Sequence, residues 1–184
     1  MKMVRLLVIG IVILSGLNEK VYAGDELTEK YNLDLIVERQ KTITQLIANF
    51  KKSDNQRYKV SIMYTLGKLR AVEAVNFLIE NIDYGRADIP NKLNQCSAEP
   101  ALEALKRIGL PSVKPILNAI KKVKDPADFK LCLLSGALVD IGGADMAIYF
   151  LNKELEKNND EVEQSMLKKA IQLVTLYHNK LRGS

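Results

Sequence analysis

Pro100-Ala-Leu-Glu-Ala-Leu-Lys-Arg-Ile-Gly-Leu-Pro111 is the stretch that decides the fold. Leu102, Leu105 and Ile108 stand seven, four and one residues before Gly109, the spacing of one helix face. Downstream, Val113, Ile116 and Leu117 follow the same glycine at four, seven and eight residues, a second helix face. The reading is helix, tight glycine turn, helix.

The same grammar recurs on either side. Val60, Met63 and Leu66 precede Gly67 at those offsets, and Ala71, Ala74 and Val75 follow it. A third copy places Ser135, Leu138 and Ile141 before Gly142, and Ala147, Phe150 and Leu151 after Gly143, if its turn holds one additional glycine. The steps are 42 and 34 residues, the first lengthened by a polar insertion over Asp83–Glu99. Asp25 onward reads as helix almost throughout, with no sustained two-residue alternation of a strand. Leu33, Ile36, Ile43, Leu46, Ile47 and Phe50 mark a first long helical region. Ser53-Asp-Asn-Gln56 has capping-box spacing, Asp125-Pro126 reads as a cap with a first-turn proline, and Asn158-Asn-Asp-Glu161 starts a final helix reaching about Leu181.

A helix pair unable to bury both apolar faces alone must stack on its neighbours. Tyr64-Thr-Leu-Gly-Lys68, Ala104-Leu-Lys-Arg-Ile-Gly109 and Leu138-Val-Asp-Ile-Gly142 resemble the HEAT-repeat family, and more narrowly the short bacterial HEAT-like repeats. The likeness covers about residues 54–157 and is degenerate over 33–52 and 160–181; Ser61 departs from it, where a small Ala is usual. It implies an all-α fold, a right-handed α-solenoid of about four stacked antiparallel helix pairs in an ARM-type superhelix. A compact bundle whose glycines coincide is the alternative.

Residues 1–23 read as an address. Met1-Lys-Met-Val-Arg5 is followed by about a dozen mostly apolar residues, and Val21-Tyr-Ala23 offers a small-residue cleavage site before Gly24. The apolar run is shorter than the roughly 20 residues of a span, so no stable membrane insertion is expected after cleavage. The expectation is a signal peptide over 1–23, a HEAT-like domain over 24–184, and a periplasmic or secreted location, the bacterial envelope being favoured. Cleavage removes Lys2, Arg5, Lys20 and Glu19, so the formal charge of +5 falls to +3. The remaining charges are interleaved, without the undiluted basic stripe of a nucleic-acid surface. Cys96 and Cys132 form an even pair in an oxidising compartment, which suggests a disulfide. Two buried thiols are the alternative, because Cys132 lies in the apolar run Leu131–Leu134.

Catalytic signatures are missing from the sequence. His178 is the lone histidine, on what reads as the exposed side of a terminal helix, and no serine-elbow, zinc-protease, phosphate-loop or calcium-loop motif occurs. Neither cofactor nor metal is expected. Asp83, Asp88, Glu99 and Glu103 flank the insertion, a pattern ordinary for a solvated loop. Asn76, Asn118 and Asn152 each stand nine residues after a repeat glycine, nearly opposite the apolar centroid of the second helix. Helix interiors disfavour Asn. An amide ladder bordered by Glu73, Glu80, Lys122, Tyr149 and Glu156 is one reading; drift among thirteen asparagines is the other.

These features lead to an exported, non-catalytic, monomeric binding or scaffolding module that recognises a protein or peptide partner. Two alternatives stand beside it. One is an enzyme or enzyme accessory like the phycobilin lyases that carry HEAT-like repeats. The other is a purely structural envelope component.

Overall fold

The structure, a computed structural model, describes residues 25–84 and 99–182. Residues 1–23, Cys96 and nearly all of the 83–99 insertion lie outside the described residues. The fold is all-α: every described element is a helix, and no strand occurs among the described residues. In chain order these are α1 (Asp25–Lys52), α2 (Gln56–Lys68), α3 (Val75–Glu80), α4 (Pro100–Ile108), α5 (Val113–Lys121), α6 (Phe129–Gly142), α7 (Ala144–Lys157) and α8 (Glu161–Arg182). Single 3-10 turns, Val72–Ala74 and Leu110–Ser112, lead into α3 and α5.

The chain divides into two units, 1–40 and 41–184. In the first, Leu33 and Ile36 are exposed on α1 rather than placed in a core, as are Tyr31, Leu35 and Val37. The second holds a contiguous hydrophobic core running from Ile43 to Val174. Phe50 anchors the C-terminal part of α1 there. Its ring meets Phe77 edge-on at 4.9 Å and Tyr84 at 5.2 Å, with the Lys59 ammonium 5.0 Å above it.

The repeat positions do bury. Met63, Leu66, Leu102, Leu105, Ile108 and Leu138 on the first helices, and Ala71, Ala74, Val75, Val113, Ile116, Leu117, Ala147 and Leu151 after the glycines, are all in the core. Val60, Ile141 and Phe150 are half-buried. Ser135 is buried too, and its hydroxyl donates to the Leu131 carbonyl at 2.7 Å, which answers the cost of an unpaired polar atom. The first helices pack in succession, α2 on α4 and α4 on α6. Helix α6 also meets α5, α7 and α8, which explains why Leu131, Leu133, Leu134, Ala137 and Leu138 are buried on several of its sides. Helix α8 packs against α5, α6 and α7. No single helix among the described residues is long and apolar enough to cross a membrane.

The turn after α2 differs from the sequence expectation. Gly109 and Gly143 end α4 and α6 with left-handed φ of 79° and 82°, and their N–H groups donate back to Leu105 and Val139. Gly67, by contrast, lies within α2, and the left-handed position after it is Arg70, φ 47°. Gly67 is needed for proximity. A Cβ there would lie 2.7 Å from Ala104 Cα, so the glycine lets α2 and α4 touch backbone to backbone.

Two caps also moved. Asn55, not Ser53, caps α2, accepting from the Tyr58 N–H at 3.0 Å, while Ser53 Oγ accepts from the Asn55 N–H. Asp128 caps α6, accepting from the Lys130 N–H, while Asp125 supports the turn before it by accepting from the Ala127 N–H. The final helix begins as read: Asp160 Oδ1 accepts from the Val162 and Glu163 N–H groups.

Candidate functional site

Two surfaces carry side chains that could act together. The first belongs to the second helices. Asn76 on α3, Asn118 on α5 and Asn152 on α7 are all exposed, as are Glu73, Glu80, Lys122, Tyr149 and Glu156. Helix α3 packs on α5. Helices α5 and α7 are tied by Lys121 Nζ, 2.6 Å from Glu154 Oε1, a pair mostly withdrawn from solvent. Glu156 is engaged by Lys153 at 2.8 Å, a hydrogen bond that holds the lysine above its ordinary pKa. The Tyr149 ring leans edge-on towards Phe150, 5.6 Å between centroids.

The second surface is a cleft of about 360 Å³ walled by α4 and α6. Its formation follows from helical phase. Glu99, just before α4, shares a face with Leu102, Glu103 and Lys106, three, four and seven residues on. Cys132, Gly136, Val139 and Asp140 share a face of α6 by the same rule, and Tyr177 reaches in from α8. The wall is therefore mixed, with aliphatic and aromatic side chains beside carboxylates. A Cβ built on Gly136 would meet nothing within 4 Å, so the glycine leaves open space in that wall.

Glu99, Glu103, Asp140 and Lys106 are the charged residues of the cleft's described lining, and Arg107 Nε donates to Glu103 Oε1 at 2.9 Å from outside it. Asp140 is raised above the ordinary carboxylate value of 3.8, chiefly by desolvation; the Lys106 charge opposes this and the Glu103 charge adds to it. An acid raised in the folded state holds its proton more tightly than in the unfolded chain. Its ionisation therefore weakens the fold as pH climbs from 3.8 through the raised value, and the loss is complete above it. Asp140→Asn should accordingly melt slightly higher than the parent at pH 7, the gap closing as pH falls below about 4. Solvent reaching Asp140 keeps the effect small. Parallel thermal melts across pH check it, and a gap that widens in acid would reverse the assignment.

Of the residues singled out in sequence, Glu99 and Glu103 lie in this cleft rather than merely solvating a loop. Cys132 is half-buried in its wall. His178 is half-buried, not on an exposed helix face. Lys106, Gly136, Asp140 and Tyr177 line the cleft without a sequence motif of their own; the one signal in the sequence is a glycine inside the apolar run Leu131–Val139, where a helix gains nothing from it. Among the described residues no three His, Cys, Asp or Glu side chains are arranged to hold a metal ion. Comparison with known protein families, with curated proteins and with solved structures finds no match to this chain.

Proposed function

We propose that this chain is an exported HEAT-like repeat module that binds a protein or peptide partner along its second-helix surface and has no catalytic activity of its own. The helix pairs would stack as a right-handed solenoid, presenting α3, α5 and α7 side by side. The observation that carries the reading is the register of Asn76, Asn118 and Asn152, each nine residues past a repeat glycine and each exposed. An exposed helix position is served better by Lys, Glu or Ala than by Asn, so amides placed there suit a surface that donates and accepts hydrogen bonds. The bacterial envelope is the compartment this reading requires, through the signal-like residues 1–23.

The test is co-purification of the full chain from envelope extract, beside a variant with all three asparagines changed to Ala. A stoichiometric protein partner should accompany the parent and be depleted at least tenfold with the variant, while the two melt alike. Equal recovery of the partner by both would dispose of the amide surface. A partner-free monomer at native abundance would dispose of the module.

A further inference from the structure

We propose that the partner presents a polyproline-type segment that crosses α3 and α5, with a basic side chain over α3 and an acidic one over α5. This partner chemistry rests on the reading of the second-helix surface given above and adds what the bound segment must carry.

The sign of the exposed charge changes from helix to helix, and not along either one. Glu73 and Glu80 are the charged residues of α3 and its lead-in turn, and they stand on either side of the exposed Asn76. Lys114 and Lys122 flank Asn118 in the same way, on α5 and at its C-cap, and α5 contains no acid. Glu80 and Lys122 each stand thirteen residues after a glycine, Gly67 and Gly109, so opposite signs occupy equivalent places in the two helix pairs. The two helices pack on each other. Even so, Glu80, Lys114 and Lys122 enter no ion pair among the described residues. Towards α7 the charges are instead matched locally, Lys121 by Glu154 and Lys153 by Glu156. An acidic stripe beside a basic one is what the surface offers a ligand.

The spacing selects the backbone. Packed helices lie about 8–10 Å apart. A polyproline II segment has three residues per turn and rises about 3.1 Å per residue, so every third side chain returns to one face about 9 Å along. Such a face reaches α3 and α5 with side chains about three residues apart. A β-strand does not, because residues separated by that interval point to opposite faces. Polyproline II also has no internal hydrogen bonds, which leaves its carbonyls to accept from the Asn76 and Asn118 side-chain amides. Ligands of a single sign fit less well. A polyanion, whether nucleic acid or an anionic lipid surface, would be repelled by Glu73 and Glu80, and a polycation by Lys114 and Lys122.

The experiment titrates the full chain at low salt with four capped peptides: Pro-Lys-Pro-Pro-Glu-Pro-Pro, its two like-charged relatives with Lys or Glu at both charged positions, and Pro-Pro-Lys-Glu-Pro-Pro-Pro. The last has the composition of the first with its charges adjacent. The readout is the shift of the Phe77 and Ala119 backbone amide signals. The first peptide should saturate with a Kd on the order of 1 mM, and the other three should bind roughly threefold or more weakly. Charge reversal should redirect the preference. Glu80→Lys should favour the peptide with two Glu, and Lys122→Glu the peptide with two Lys. Both positions are exposed, so the fold tolerates either change. The triple asparagine variant should bind all four peptides more weakly and keep the parent's preference. If it binds them as tightly as the parent does with that preference intact, the amide surface fails and the charge pattern stands. Equal binding of the four peptides, a preference that neither reversal moves, or no saturation up to about 20 mM overturns the proposed partner chemistry.

Discussion

Gly67→Ala is expected to destabilise the protein by about 1–3 kcal/mol, although Ala is the better helix former by about 1 kcal/mol. The reason is the neighbour that its methyl would meet. Ala104 Cα lies 2.7 Å and Ala104 Cβ 3.0 Å from the Cβ position, closer than carbon atoms tolerate. The obstacle is the backbone of α4, which has no rotamer to change, so the two helices must part. Leu66 and Leu105, both fully buried near that contact, would then lose packing as well. Urea unfolding should show a lower midpoint with an unchanged slope, since the area exposed on unfolding is the same. Gly136→Ala gives the opposite sign: with nothing near its Cβ, the substitution should raise stability by about 1 kcal/mol. The same chemical change at two helical glycines thus reports separately on a closed helix contact and an open cleft. Equal effects at the two sites would mean that α2 and α4 do not approach as closely as described.

Leu134→Ala should carry the largest single loss, about 2–5 kcal/mol. Leu134 is fully buried in α6, and α6 is the helix that α4, α5, α7 and α8 all cover. Removing its isobutyl group forfeits transfer free energy and leaves a hole that four packed helices cannot easily collapse around. A domain of this size is stable by only about 5–15 kcal/mol, so much of the margin would go. Calorimetry or chemical unfolding measures it directly. A loss below about 1 kcal/mol would show that α6 is not the centre of the core. Exposed positions such as Asn118 on α5 should tolerate Ala within about 0.5 kcal/mol, which calibrates the comparison.

The legible part of this molecule was its period. Three- and four-residue spacing of Leu, Ile, Val and Ala identified the helices, and alignment on the glycines identified residues that do lie in the core. The caps were less legible because several oxygens compete at each helix start. Ser53, Asp54 and Asn55 are all chemically able to accept from a first-turn N–H, and the chain's path into α2 selects Asn55. Asp125 and Asp128 posed the same ambiguity ahead of α6, and Pro126 favoured the wrong choice. Gly67 reads in the sequence as a turn glycine, whereas its structural partner is Ala104, 37 residues away in the chain.

The cleft could not be read from the sequence for the same reason. Glu99, Glu103 and Lys106 form one local pattern, Gly136 and Asp140 another, and Tyr177 neither. Each by itself is an ordinary half-exposed helix face. What the sequence determined is whatever depends on residues within two turns of one another: helix, core face and final cap. Tertiary structure alone decided which faces meet, because packing depends on the shape and charge of surfaces contributed by distant segments. That meeting is what turned three carboxylates, of which the sequence singles out only Glu99 and Glu103, and a glycine into the walls of a cleft.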